Sequence, residues 1–199
     1  MKFFVNFLSA FRIAAAFAII PTLLAQMYWT SFILFVLGSI SDFFDGYLAK
    51  KYNACTKIGG VLDHIGDKLL VCNTLIMLAI MMPTWFIIVP IIIMIARELY
   101  ISGLREFLGT QKIEMPVPSA RFSLGKIKTT FQMISVSAFL LIFVIGTLIS
   151  PTTSSKTLMM LVYILPQIAI YGLWLSLIAS IWSAGQYTIT FIEKLKKVK

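Results

Sequence analysis

The chain has 199 residues, of which 59% are hydrophobic and 13% are charged, and its formal net charge is +9 at pH 7. Soluble domains have about 45–50% apolar and about 25% charged residues, so this composition predicts a membrane protein. The positive charge does not indicate a nucleic-acid partner, because the basic residues border apolar segments and no soluble binding domain accompanies them.

Six apolar segments follow one another along the chain with only short connections between them. A transmembrane helix needs about 20 mostly apolar residues, and each segment is long enough to form one. We expect helices over about 10–28, 31–49, 61–82, 84–108, 122–149 and 157–188. The sequence therefore predicts an all-α, polytopic membrane protein with six transmembrane helices, in one domain over residues 1–199.

The first predicted helix carries one charged residue within its apolar run, Arg12. Lys2 and the alanine-rich residues that follow it are typical of a signal peptide, but Arg12 interrupts the run and no small-residue cleavage site is evident. We therefore expect this segment to be kept as the first span.

The second and third predicted helices contain all four aspartates of the chain, Asp42, Asp45, Asp63 and Asp67. Because an α-helix turns by about 100° per residue, Asp42 and Asp45 share one face and Asp63 and Asp67 share another. A carboxylate at membrane depth is costly unless it is paired, hydrated or bound to metal. Oxygen ligands of this kind select Mg²⁺ or Mn²⁺, and four of them are enough for two ions that clamp a phosphoryl group.

Small residues interrupt both acidic faces. Gly46 and Ala49 lie on the face of the first two aspartates, and Gly59 lies on the face of Asp63. The alternative is that the aspartates form surface ion pairs with their neighbours Lys50, Lys51, Lys57 and Lys68. Surface pairs contribute only about 0–1 kcal/mol and do not explain the glycines, so a metal site is the favoured interpretation.

The spacing of these residues resembles the signature of the CDP-alcohol phosphatidyltransferases, with Asp42-x-x-Asp45-Gly46-x-x-Ala49-Lys50 followed by Gly59-x-x-x-Asp63-x-x-x-Asp67. The resemblance implies a homodimer, two divalent ions (Mg²⁺ or Mn²⁺) and CDP-diacylglycerol as the donor. It also implies that all four aspartates are metal ligands and that Asp67 is the catalytic base. The nucleotide-binding residues that it implies are Asp42, Gly46, Ala49, Lys50, Thr56 and Gly59. Lys50 stands where the family usually has arginine, so it lacks the bidentate fork.

Three further blocks, over residues 6–12, 96–106 and 125–132, look like those of the phosphatidylglycerophosphate synthases within that family. They imply sn-glycerol 3-phosphate as the acceptor. A phosphate dianion needs several donors, and the predicted acceptor-phosphate ligands are Arg97, Arg105, Lys126 and Lys128. Lys128 is favoured over Lys126, because it shares a helix face with Gln132. Glu98 and Glu106 can orient the arginines.

Two alternatives are weighed against this function. A sibling transferase that uses another acceptor, such as inositol phosphate, would present the same dianion to these cations. A divalent-cation channel needs polar groups through the depth of the membrane, whereas the far halves of the predicted spans are almost uniformly apolar.

Basic residues also predict the orientation of the chain. The connections on one side of the predicted bundle contain one basic residue, Lys156, and the other sixteen basic residues border the other side. Connections rich in Lys and Arg stay in the cytoplasm. We therefore expect a multi-pass protein of the cytoplasmic (inner) membrane, with both termini and the active site at the cytoplasmic interface.

Overall fold

The computed structural model describes residues 2–51, 57–110, 124–149 and 156–196, and this part of the chain is built from six helices without a strand. The helices are α1 (Lys2–Leu24), α2 (Tyr28–Lys51), α3 (Lys57–Met81), α4 (Trp85–Thr110), α5 (Leu124–Leu148) and α6 (Lys156–Lys196). The prediction of an all-α protein is confirmed.

Within the described residues, four helices are long and apolar enough to cross a membrane, namely α1, α4, α5 and α6. A shorter apolar stretch, Tyr28–Ser41, lies in α2. In α3 the polar residues lie at the start of the helix. The chain is therefore an integral membrane protein, and the count of six spans stays a prediction.

Helix α1 packs against both α2 and α3, while α6 packs against α4 and α5. Contacts of α2 with α5, and of α3 with α4 and α5, join these two groups into one bundle. Large apolar side chains fill the interior, among them Ile19, Phe35, Leu75, Met94 and Phe139. The buried polar residues of these helices therefore need hydrogen-bond partners within the bundle.

Helix α1 ends at Leu24, and not near residue 28 as predicted. Gln26 adopts a left-handed conformation with φ of 57°, and the Met27 amide donates to the Thr22 carbonyl at 2.8 Å. These are the features of a helix C-terminus that satisfies its last carbonyls. Glycine is the usual residue at such a position, so the sequence carries no strong signal for this end.

Helix α6 continues to Lys196 and has 41 residues, beyond the predicted end near residue 188. At 1.5 Å per residue it is about 60 Å long, about twice the thickness of the hydrocarbon core. Its last turns lie beside the end of α4, where the rings of Phe107 and Phe191 are 5.8 Å apart. The two helices therefore extend together beyond the length that a span requires.

Helices α2 and α3 approach each other closely at Gly38. A Cβ atom at this position would lie 2.6 Å from Cδ2 of Leu70, whose side chain is fully buried. Gly38 precedes Asp42 by four residues and Leu70 follows Asp67 by three. The two aspartate-bearing helices are therefore in contact about one turn from the aspartates.

Candidate active site

The aspartate motif lies on two helices that are regular over its whole described length. The backbones of Asp42 and Asp45 belong to α2, and those of Asp63 and Asp67 belong to α3. Thr56 lies outside the described residues, as do the side chains of Asp42, Asp45, Gly46, Ala49, Lys50, Gly59, Asp63 and Lys126. Asp67 is therefore the aspartate of the motif whose side chain lies within the described residues.

A buried arginine on α1 connects the two halves of the motif. Arg12 is fully buried, and its NH1 group donates to Oδ1 of Asp67 at 2.5 Å. Its Nε group donates to the Gly38 carbonyl at 3.2 Å and to Oγ of Ser41 at 3.3 Å. Ser41 immediately precedes Asp42, so one guanidinium contacts both aspartate-bearing helices beside the motif.

The carboxylate of Asp67 is one-third exposed, and Asp67 is among the residues that line a half-open cavity of about 120 Å³ between α3, α4 and α5. The polar residues that line this cavity are Asp67, Lys68, Cys72, Glu98, Lys128, Thr129 and Gln132. Its inner wall is apolar and includes Leu75 and Met94. The predicted base and one predicted phosphate ligand, Lys128, therefore share one cavity.

Glu98 lies at the centre of a charged cluster in this wall. Its Oε1 atom accepts a hydrogen bond from Nζ of Lys128 and a second one, at 3.0 Å, from NH1 of Arg97. All three side chains are largely buried, with relative exposures of 20% or less. Buried charges need such partners, so Glu98 holds both cations in place, as predicted for Arg97.

The two predicted arginine ligands lie differently from Lys128. The guanidinium of Arg97 is directed to α6, where it donates to the Ser180 carbonyl at 3.3 Å and to Oγ of Ser183 at 3.0 Å. Arg105 lies farther along α4, 5.1 Å above the ring of Tyr187, and donates to its hydroxyl at 3.0 Å. The structure thus joins Arg97 to the cavity through Glu98 and places Arg105 against α6.

Sequence reasoning missed two residues of this site. The sequence places Arg12 in the first span and in the block 6–12 that resembles the phosphatidylglycerophosphate synthases, but it predicts no role in the site for this residue. For Lys68 it predicts only a surface ion pair. Lys68 lines the cavity and donates to Oγ of Ser102 on α4. The available signals were the isolation of Arg12 in an apolar run and the position of Lys68 directly after Asp67.

The residues of the motif fit divalent metal ions. Helical backbones at both halves keep each aspartate pair on one face, and Arg12 contacts Ser41 and Asp67 from one position. Carboxylate oxygens are the ligands that Mg²⁺ and Mn²⁺ prefer.

Comparison with known proteins adds independent information. The model of the CDP-alcohol phosphatidyltransferase family matches residues 3–182. Proteins named CDP-diacylglycerol–glycerol-3-phosphate 3-phosphatidyltransferase are similar to the chain. The one from Rickettsia bellii is 45% identical over an alignment of 141 positions, and the alignment covers 68% of this chain and 74% of that protein. The one from Rickettsia typhi is 40% identical, and the alignment covers 71% of this chain and 78% of that protein. The one from Pectobacterium atrosepticum is 35% identical, with 67% of this chain and 74% of that protein covered.

Proposed function

Because the chain belongs to the CDP-alcohol phosphatidyltransferase family, we propose that it transfers the phosphatidyl group of CDP-diacylglycerol to sn-glycerol 3-phosphate. The names of its relatives describe this reaction, and the resemblance of its aspartate motif to the family signature is confirmed by the family match over residues 3–182. The products are phosphatidylglycerol phosphate and CMP.

The observation that carries the choice of acceptor is the cavity in which Asp67, Lys68 and Lys128 are lining residues. A phosphate monoester that enters it meets two ammonium groups, and charge-assisted hydrogen bonds of this kind are the strong ones. The hydroxyl of the same small molecule then reaches Asp67. A serine or a lipid acceptor offers no such dianion, so these cations favour a phosphorylated polyol.

The reaction requires one bond to form and one to break at the β-phosphorus of the donor. The acceptor oxygen attacks this phosphorus, the bond to the CMP oxygen breaks, and the hydroxyl proton passes to the carboxylate of Asp67. The family depends in general on divalent metal ions, which polarise phosphoryl oxygens and the acceptor hydroxyl. In this proposal two Mg²⁺ or Mn²⁺ ions are held by Asp42, Asp45, Asp63 and Asp67.

The proposal extends to the donor and to the assembly. The cytidine nucleotide binds along the small residues of the motif, and Lys50 supplies one charge to its phosphates. The residues proposed for nucleotide binding are Asp42, Gly46, Ala49, Lys50, Thr56 and Gly59. We further propose that the chain is one domain with six spans in the inner membrane and that its active site faces the cytoplasm. It forms a homodimer in this proposal, which for the homodimer rests on the family resemblance.

A transferase assay on the purified chain tests the proposal. With CDP-diacylglycerol and Mn²⁺, we expect CMP release when sn-glycerol 3-phosphate is the acceptor and none with glycerol. Release with inositol phosphate alone would identify the sibling reaction instead, and the absence of release with every phosphorylated polyol would refute the transferase.

The variant Asp67→Asn tests the role of the base in the same assay. It keeps an oxygen for Arg12 and removes the proton acceptor, so we expect turnover to fall by about 10²–10⁴-fold, the usual contribution of general base catalysis. Binding of CDP-diacylglycerol, measured by equilibrium binding, should persist. Turnover near that of the unmodified chain would show that another group takes the proton.

A further inference from the structure

Arg12 is an ionised side chain without exposure to solvent. Removing such a group from water costs several kcal/mol unless its donors are satisfied in good geometry. The stretch of α1 around it is otherwise apolar, since it reads Ala10-Phe-Arg12-Ile-Ala-Ala-Ala16. An arginine at this place therefore needs partners on other helices to be tolerated.

Those partners come from two helices and use different nitrogens of the guanidinium. Nε is directed to α2, at the Gly38 carbonyl and Oγ of Ser41, and NH1 is directed to α3, at Oδ1 of Asp67. The guanidinium is planar and presents its donors in fixed directions. Holding two of them on two helices therefore fixes the position of one helix relative to the other at this level.

This level is the one at which the aspartate motif lies. Ser41 adjoins Asp42 in α2, Asp67 is itself the last aspartate in α3, and the close contact of Gly38 with Leu70 lies about one turn away. Gly66 contributes to the same arrangement, because a Cβ atom there would lie 3.5 Å from Cδ of Arg12. The side chain of Arg12 is therefore enclosed by the two helices that carry the acids.

We propose that Arg12 is the positioning residue of the aspartate motif. It orients the carboxylate of Asp67 and sets the separation of α2 and α3, so that the two acidic faces bind divalent ions together. It acts through Asp67 and Ser41 and not on a substrate. The proposal rests on the proposed function, because it assigns Arg12 to the metal site of that reaction.

The variant Arg12→Lys distinguishes the effect of the positive charge at position 12 from the effect of the guanidinium's fixed donor directions. Lysine keeps the positive charge, but its ammonium is a single point on a flexible stem and lacks the fixed fork. If charge alone mattered, Arg12→Lys would behave like the unmodified chain. If orientation matters, Arg12→Lys and Arg12→Gln should both lose metal affinity.

The test measures Mn²⁺ binding to the full chain in detergent by the electron paramagnetic resonance signal of free Mn²⁺, without substrates. Removing a group that orients a metal ligand costs about 10–100-fold in metal affinity or activity, and we expect a loss of this size for Arg12→Lys. In the transferase assay kcat should fall to a similar extent, while KM for sn-glycerol 3-phosphate should stay nearly unchanged, because Arg12 is fully buried and is not among the residues that line the cavity.

Asn73 supplies a matched control. Its Nδ2 group donates to the Ala16 carbonyl at 2.9 Å, so Asn73→Ala removes a hydrogen bond between the same helices, α1 and α3, two turns from the motif. This variant should lower thermal stability and keep the Mn²⁺ affinity. Equal Mn²⁺ affinity in Arg12→Lys, Asn73→Ala and the unmodified chain would overturn the proposal.

If the Arg12 variants do not fold, the Mn²⁺ affinity of Ser41→Ala tests the proposal instead. It removes one acceptor of Nε and leaves the ion pair with Asp67, so Mn²⁺ affinity should fall in the same direction by a smaller factor. Unchanged affinity in Ser41→Ala would then overturn the proposal. Because Mn²⁺ binding is measured without substrates, a failure of the proposed transferase reaction is distinguished from a failure of this role.

Discussion

Each charged side chain beside the cavity serves two requirements, since it must be stable in the apolar bundle and must remain usable by a ligand. Glu98 satisfies the first requirement for Lys128 and Arg97, because its Oε1 atom accepts from both. Lys68 uses the neutral hydroxyl of Ser102 instead. A phosphate that enters the cavity therefore competes with Glu98 for Lys128, whereas at Lys68 it replaces or shares a weaker, neutral partner.

Lys128→Gln should weaken acceptor binding without dismantling the cluster, because the glutamine amide still donates to Glu98. Hydrogen bonds to charged groups contribute about 1.5–3 kcal/mol, which corresponds to an increase of about 10–100-fold in KM for sn-glycerol 3-phosphate. Initial rates at varied acceptor concentration measure this effect. Lys196→Gln, at the exposed end of α6, removes the same charge and should leave KM unchanged. An unchanged KM in Lys128→Gln would exclude Lys128 from the acceptor site.

Spacing along a single helix made part of this site predictable. Asp67 and Lys128 were both chosen from helix faces, and both line the same cavity. The partners of Arg12 lie 26 to 55 residues away in sequence and the partner of Lys68 lies 34 residues away. No periodicity within one helix indicates such contacts. The position of Arg105 against Tyr187 likewise depends on how far α6 extends beside α4.

At the scale of helices, hydropathy predicted the number and order of the elements but not all of their ends. The left-handed residue Gln26 ends α1 without a glycine, and amphipathic turns continue α6 past the apolar segment to Lys196. Packing between helices is set by smaller features. The approach of α2 to α3 depends on the missing side chain at Gly38, which the sequence shows only as a glycine within an apolar run.

Gly38→Leu should destabilise the bundle, because the space beside Gly38 is already filled by Leu70. Overpacking of this kind costs about 1–3 kcal/mol, so we expect a lower midpoint of thermal unfolding, followed by tryptophan fluorescence in detergent. Gly103→Leu is the matched control, since a Cβ atom there meets nothing within 4 Å. Adding Leu70→Ala to Gly38→Leu should restore part of the loss. Equal midpoints for the two leucine variants would show that α2 and α3 have room at this crossing.

At the scale of the whole molecule, the order of the helices and the distribution of basic residues together predict how the chain is oriented in the membrane. The polar ends of α2 and α3 adjoin the connection 52–56, and the polar end of α4 and the start of α5 adjoin the connection 111–123. If all six helices span, these two connections lie on the same side as both termini. Because connections rich in Lys and Arg stay in the cytoplasm, we predict that this side is cytoplasmic and that the cavity beside Asp67 opens towards it.

Single cysteines test this orientation in sealed vesicles with a membrane-impermeant maleimide. In the variant Cys72→Ser, the native Cys55 is the single cysteine, and its labelling reports on the connection between α2 and α3. A second variant with both Cys55→Ser and Cys72→Ser has no cysteine. Thr84→Cys or Lys196→Cys is introduced into it one at a time, and the labelling of each is measured. Thr84 is exposed between α3 and α4, so we expect Thr84→Cys to react in right-side-out vesicles, and Cys55 and Lys196→Cys to react only in inverted ones. If α3 did not cross the membrane, Cys55 would react on the same side as Thr84→Cys, and the six-span arrangement would be wrong.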